Sequence, residues 1–191
     1  MTARLSIINL ARNFLGENEV TSEDLSVPNL QSMINIYELN KEALLSTVDW
    51  NFAIKWSKLT LSGLTPTNTN YKYAYYLPDD IKKLEDTYPK NFNYEIVSGN
   101  LLYCNQKSDV YLKYVFNADE SHFSATFRTA LTHKLAADCA MLLTQNINIF
   151  QIWKAEADKS IKEAEYLNNI EEPSPRIDSN IMIEARYTGV R

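Results

Sequence analysis

At 191 residues, with 45% hydrophobic and 23% charged residues, the chain has the balance of one globular domain with a real core. A net charge of −5, with no basic run longer than Lys82-Lys83, argues against a general nucleic-acid binder, which needs a basic stripe to displace counterions. Cys104 and Cys139 make no disulfide framework, the N-terminus lacks a leader's apolar core, and no run approaches the roughly 18 apolar residues of a membrane span, so the expectation is a soluble protein of a reducing cytoplasm with buried thiols.

Residues 3–15 place Leu5, Ile8, Ala11 and Leu15 at helical spacing, and Gly16 follows as a stop. After a polar connection, Pro28 predicts the first turn of a second helix, in which Leu30, Met33, Tyr37, Leu44 and Leu45 trace an apolar face interrupted by Asn40 and Lys41. At "DWNFAIKWSKLTLSG" the period drops to two: Phe52, Ile54 and Trp56 alternate with Ala53 and Lys55, as in a strand. "GLTPTNTN" is loop chemistry.

The next stretch, "YKYAYYLPDD", is the most unusual. Extended, it sets Tyr71, Tyr73 and Tyr75 on one face and Lys72, Ala74 and Tyr76 on the other. Pro78 must end the strand or lie at an edge, and Asp79 or Asp80 is expected to cap a short helical turn. Stacking of bases on such a run works beside a cationic groove, whereas Asp79, Asp80, Glu85 and Asp86 oppose the nearby lysines. Tyr71, Tyr73 and Tyr75 are therefore expected at an interface, since tyrosine suits a surface with one end buried and one end wet.

Beyond Pro89 a meander is predicted, with "NYEIV" and "LLYCN" around Gly99 and "VYLKYVF" as its third strand, Val110, Leu112 and Tyr114 sharing one side. Helices return at 121–146, where Phe127, Leu131, Leu135, Cys139 and Leu142 keep the spacing and Ala130, Ala136, Ala137 and Ala140 permit close approach. A last helix carries Phe150, Trp153, Ala157, Ile161, Ala164 and Leu167 in a stripe, with Asp158/Lys162 and Lys159/Glu163 opposite. Pro173 and Pro175 then break the helix, and "IMIEARY" is strand-like without a partner nearby, so it is expected to pair with another element or chain.

The fold expected from these segments is α+β: mainly a helical bundle from residues 1–50 and 120–171, an inserted antiparallel β region at 51–119, and an extended C-terminal arm at 172–191. No catalytic, cofactor-binding or metal residue is assigned. His122 and His133 have no nucleophile signature, their spacing matches no zinc pattern, and four scattered glycines build no phosphate cradle.

Five stretches, "FLGE…VTS", "DWNFA", "YAYYLPDD", "FRTALTHKLAADCAMLLT" and "IEARY", occur in that order along nearly the whole chain. Their succession resembles the tail tubular protein A, or head-to-tail adaptor, family of short-tailed bacteriophages. The resemblance implies a structural virion protein without enzymatic activity or cofactor. It implies a homo-oligomeric ring, commonly of twelve subunits, at the capsid–tail junction after assembly in the host cytoplasm, with no membrane partner. The ring would contact the portal protein on one side and the next tail (nozzle) protein on the other, with genomic DNA only as passing cargo. Acidic residues lining such a channel would let a duplex slide.

Arg186 corresponds to the family's terminal arginine, and Pro78 with Asp79 and Asp80 to structural positions. The chain departs from the family where Met182 and Ile183 replace an aromatic-leucine pair. The arm is expected to meet the portal or a neighbouring subunit through Ile181, Ile183 and Tyr187 as apolar anchors and Arg176, Arg186 and Arg191 as charged donors. The competing expectation is a tail-associated glycan or peptidoglycan hydrolase, which would need two carboxyls at a cleft that sequence cannot choose among 24 acidic residues.

Overall fold

The protein's structure, a computed structural model, describes residues 2–171 apart from Leu25, Asn91, Ser98, Gly99 and Ser108. Helix α1 (Ala3–Phe14) opens where the Thr2 hydroxyl accepts from the Leu5 N–H at 3.3 Å. It closes at Gly16, whose φ of +80° suits a residue without a Cβ, and the Glu17 N–H reaches back to the Arg12 carbonyl at 2.9 Å. Helix α2 (Leu30–Thr47) buries Leu30, Met33, Tyr37, Leu44 and Leu45, together with Asn40 and Lys41. Pro28 stands outside the first turn, because Asn29, left-handed at φ 63°, is the residue that precedes the helix.

Seven strands follow among the described residues: β1 (Ile54–Lys58), β2 (Thr60–Leu61), β3 (Tyr73–Tyr76), β4 (Ile81–Tyr88), β5 (Tyr94–Val97), β6 (Leu101–Cys104) and β7 (Tyr111–Phe116). They form two antiparallel sheets, one ordered β1-β7-β4 and the other β2-β3-β6-β5. Phe52 sits in a short helical turn (Asn51–Ala53) before β1 rather than in the strand. Helices α3 (Ala125–Thr144) and α4 (Ile147–Glu171) are joined through Gln145 and Asn146, a link short enough to make them antiparallel neighbours. The Ser124 hydroxyl caps α3, and buried Ala130, Ala136, Ala137 and Ala140 let α1, α2 and α4 pack around it.

The expected bundle with an inserted β region does not hold. Four helices and two antiparallel sheets, of three and four strands, surround one continuous core. Leu5, Leu45, Phe127 and Leu131 from the helices, Leu112 and Tyr114 from β7, and Tyr75, Leu102 and Cys104 from the second sheet belong to the same buried cluster. Neither the helices nor the strands would bury their apolar faces without the other, so the β region is part of the same core and not an insertion. The expected arm at 172–191 lies outside the described residues.

Three local expectations are also corrected. Residues after Asp80 form β4, the longest strand, and no helical turn. Register shifts between Ile81 and Lys83 and between Leu84 and Asp86 break its two-residue alternation, which hides it in the sequence. Strand β7 does not continue a meander with β6. It is buried on both faces and so takes the centre of the first sheet, between β1 and β4. Leu142, assigned to the core stripe of α3, is exposed.

Candidate functional site

Two of the stretches singled out in the sequence, "DWNFA" and "YAYYLPDD", lie at junctions between elements. In "DWNFA", the Trp50 indole N–H donates to the Leu44 carbonyl at 2.7 Å, and its ring meets Phe127 edge-on at 4.9 Å. Next to it, Asn168 near the end of α4 closes a clamp. Its side-chain oxygen accepts from the Asn51 N–H at 2.9 Å, its amide donates to the Asp49 carbonyl at 2.9 Å, and its own carbonyl accepts from the Asn51 side chain at 2.9 Å. In "YAYYLPDD", Asp80 accepts from Lys55 of β1 and from the Tyr114 hydroxyl of β7, both at 2.9 Å, while its carbonyl accepts from the Asn117 N–H at 2.8 Å. Burial works to raise the Asp80 pKa, but these hydrogen bonds outweigh it and hold the carboxyl below its ordinary value. Tyr114 moves the other way, pushed up to about 12 by burial and by the Asp80 carboxylate.

A third junction joins α2 to the segment before α3. Glu120 accepts from the Tyr37 hydroxyl at 2.7 Å and from Lys41 at 3.2 Å, and its carbonyl accepts from Arg128 at 3.2 Å. Burial opposes ionisation of Glu120, yet the hydrogen bond from Tyr37 and the charge of Lys41 leave its pKa lowered. Arg12, buried in the core, donates to the Asn18 carbonyl at 2.9 Å and so fixes the loop after α1, where Asn9 and Val20 also exchange two amide bonds.

Two clusters have the composition of a catalytic centre, and geometry separates composition from chemistry. Asp119, Ser121 and His122 lie together, but Ser121 Oγ (3.3 Å) and Asp119 (2.9 Å) both approach the same ring nitrogen, Nδ1. A relay needs the acid on one ring nitrogen and the nucleophile on the other. Here the Ser121 hydroxyl instead donates directly to Asp119, and hydrogen bonds from Ser121 and His122 bring the Asp119 pKa to about 2. The other cluster is Asp49, Lys83 and Glu85. Burial, then a hydrogen bond with Asp49, raises the Glu85 pKa. Asp49 is lowered, its burial outweighed by hydrogen bonds from Glu85 and Lys83. Lys83 Nζ lies 2.5 Å from Asp49 and 3.0 Å from Glu85 Oε1, the latter off the hydrogen-bond direction. A raised acid beside an ionised one is the pattern of a glycosidase, but that reaction needs a gap of at least about 5 Å between them for the sugar. Here both carboxyls lie on the same ammonium, that of Lys83, so a cation occupies the place between them.

Other reactive groups are withdrawn. Burial raises both the Cys104 and Cys139 thiols, the latter to about 12, and lowers His133, whose ring lies 5.6 Å from both Phe14 and Trp153. A cleft of about 370 Å³ beside β1 and β2 is lined by Lys58, Leu59, Thr60, Leu61, Tyr75, Lys107 and Asp109. A groove of about 200 Å³ between α3 and α4 is lined by Ala125, Thr126, Thr129, Ser160, Glu163 and Ala164. Neither includes the acid pair or a histidine. Among the described residues, no cluster of His, Cys, Asp and Glu has the arrangement to hold a metal ion. Among the same residues, no helix is long and apolar enough to cross a membrane.

What the surface does present is apolar side chains on element edges. Of the three tyrosines expected at an interface, Tyr71 lies in the loop before β3, Tyr73 is half-buried, and Tyr75 is 3% exposed, its hydroxyl donating to the Gln106 carbonyl at 2.9 Å. Tyr75 is core. Its neighbour Tyr76, assigned to the opposite face, is the exposed one, because β3 is buried on both sides at Ala74 and Tyr75. Sequence reasoning missed Trp56 and Tyr88 on the first sheet, Tyr94 and Ile96 on β5, and Ile152, Tyr166 and Ile170 on α4, all exposed. The α4 residues carried a signal: they fall outside the stripe that faces α3. Arg176, Ile181, Ile183, Arg186, Tyr187 and Arg191 lie outside the described residues.

Comparison of the chain with protein-family models finds no match, and comparison with curated proteins finds no significant one.

Proposed function

We propose that this chain is a ring-forming adaptor between the portal and the tail of a short-tailed phage, through which DNA passes. The observation that carries the reading is the distribution of exposed apolar side chains, with Tyr94 and Ile96 on the edge strand β5 and Ile152, Tyr166 and Ile170 on α4. Single exposed apolar residues are ordinary, but rows of them on separate elements suit contacts with neighbouring copies and flanking proteins. The order of the five resembling stretches supports the same reading. The charged and amide groups in two of them, "DWNFA" and "YAYYLPDD", hold the subunit together, which suits a component whose work is mechanical.

Native mass spectrometry and negative-stain microscopy of the chain, alone and mixed with portal particles, test the proposal. Rings of fixed copy number seated on the portal are the expected result. A chain that stays a single copy in both samples overturns it. The alternative, a tail-borne glycan or peptidoglycan hydrolase, would have to run through Asp49 and Glu85, and zymography on cell-wall and polysaccharide gels is expected to give no cleared band.

A further inference from the structure

Edge strands invite pairing with other chains, and proteins blunt them with charge, bulges or shortness. Three of the four edges here are blunted. Strand β1 carries Lys55 and Lys58; β4 carries two register shifts and the charges of Lys82, Lys83, Glu85 and Asp86; β2 has two residues. Strand β5, Tyr94-Glu95-Ile96-Val97, has no lysine, proline or register shift, and among the described residues it pairs only with β6. In an antiparallel ladder alternate residues turn both backbone groups to the same side, so two of its four residues offer an N–H and a carbonyl outward. Among the described residues, none of those groups bonds outside the β5–β6 ladder.

The side chains say what would fit. Tyr94 lies opposite Cys104 and Ile96 opposite Leu102, so both share the face that buries Tyr75, Leu102 and Cys104. That face is covered as far as β6 and then runs out: Tyr94 is 37% and Ile96 49% exposed. Glu95 points to the other face, exposed, with one hydrogen bond from Asn68 at 2.7 Å. An incoming strand therefore needs apolar residues at alternate positions and a cation between them.

We propose that β5 receives residues 181–187 of a second copy as a fifth, antiparallel strand. The chain continues for residues 172–191 beyond α4, and the nine residues 172–180 reach at most about 30 Å. An antiparallel register that sets Arg186 beside Glu95 also sets Tyr187 beside Tyr94 and Ala185 beside Ile96, with Glu184 at the strand end beside Val97. The choice of a second copy as donor rests on the ring reading: every subunit carries one such edge and one such segment, and donation repeats head to tail until the ring closes.

The test uses full-length chains. Glu95→Cys and Arg186→Cys single variants are mixed under mild oxidation; the native thiols are buried and do not compete. A linked dimer containing one of each variant is expected on a non-reducing gel. In a chain carrying both Glu95→Cys and Arg186→Cys, a link formed only within one chain overturns donation between copies, and no link either there or in the mixture overturns the edge as the site. Charge reversal gives a second readout: Glu95→Arg and Arg186→Glu each weaken assembly about two- to five-fold, and together restore it. Sedimentation of the wild-type chain before oxidation reads the ring proposal separately. Rings without the 95–186 link overturn only the strand donation, and a link without rings overturns only the adaptor.

Discussion

Asn168→Ala tests whether the end of α4 is fastened to the α2–β1 junction by the clamp described above. The substitution removes two side-chain hydrogen bonds, from the Asn51 N–H and to the Asp49 carbonyl, and leaves two backbone groups to find other partners. A typical bond contributes about 1 kcal/mol net, and an unpaired buried group costs about 1–3 kcal/mol. Asn51 and Asp49 are half-buried, so water recovers part of that, and a net loss of about 2–3 kcal/mol is expected. For a domain of this size that is a fall in Tm of roughly 4–12 °C. The assay is thermal and urea unfolding followed by circular dichroism. Asn168→Asp serves as the control, because it keeps the acceptor for Asn51 but sets a carboxylate against the Asp49 carbonyl, so it should recover only part of the loss. A fall in Tm below about 2 °C for Asn168→Ala would refute the clamp as a source of stability.

Asp80→Ala should cost about 1–2 kcal/mol in urea unfolding, mostly because the hydroxyl of buried Tyr114 loses its partner; the exposed ion pair with Lys55 adds little. Since the folded-state pKa of Asp80 is lowered, its contribution is present above the ordinary carboxylate range and is lost as pH falls through the folded value, so wild type and variant should converge in acid. His133 gives the opposite kind of window. Its folded pKa is lowered by burial, so below about pH 6.5 the unfolded chain takes up a proton first and stability falls, and His133→Leu should flatten the Tm difference between pH 7.5 and 5.5. Phe127→Ala should cost about 3–5 kcal/mol, because that ring, fully buried, is packed by Trp50, Phe52 and Phe123.

Helices were legible because their signals are local. The spacing of Leu30, Met33, Tyr37, Leu44 and Leu45 needs nothing but a 3.6-residue period, and Gly16 stops α1 by its own backbone freedom. What failed was partnership. The sequence of "VYLKYVF" says strand, but only burial on both faces says central strand, and its partners β1 and β4 are distant in the chain. The tyrosine run failed for a related reason. Alternation assumes one wet face, and β3 has none at Ala74 and Tyr75, so the expected interface residue Tyr75 went inside and Tyr76 stayed out. The clamps were invisible as well. Asn168 and Asn51, 117 residues apart, are unremarkable asparagines until the fold sets them 2.9 Å from one another.

The single core bears on how copies would meet. In this chain Asp80 ties β1 to β7, Glu120 ties α2 to the segment before α3, Asn168 ties α4 to the turn before β1, and one core joins the strands to the helices. A patch on β5 and a patch on α4 are then held in fixed relation, one on the strand side and the other on the helix side. A two-fold dimer needs one self-complementary patch, whereas a head-to-tail contact needs two different patches at a constant angle, because a small error repeats at every step and opens the ring into a spiral. An independent bundle with a loosely inserted β region could not hold that angle. The feature that overturns the expected architecture is thus the one that a closing ring requires.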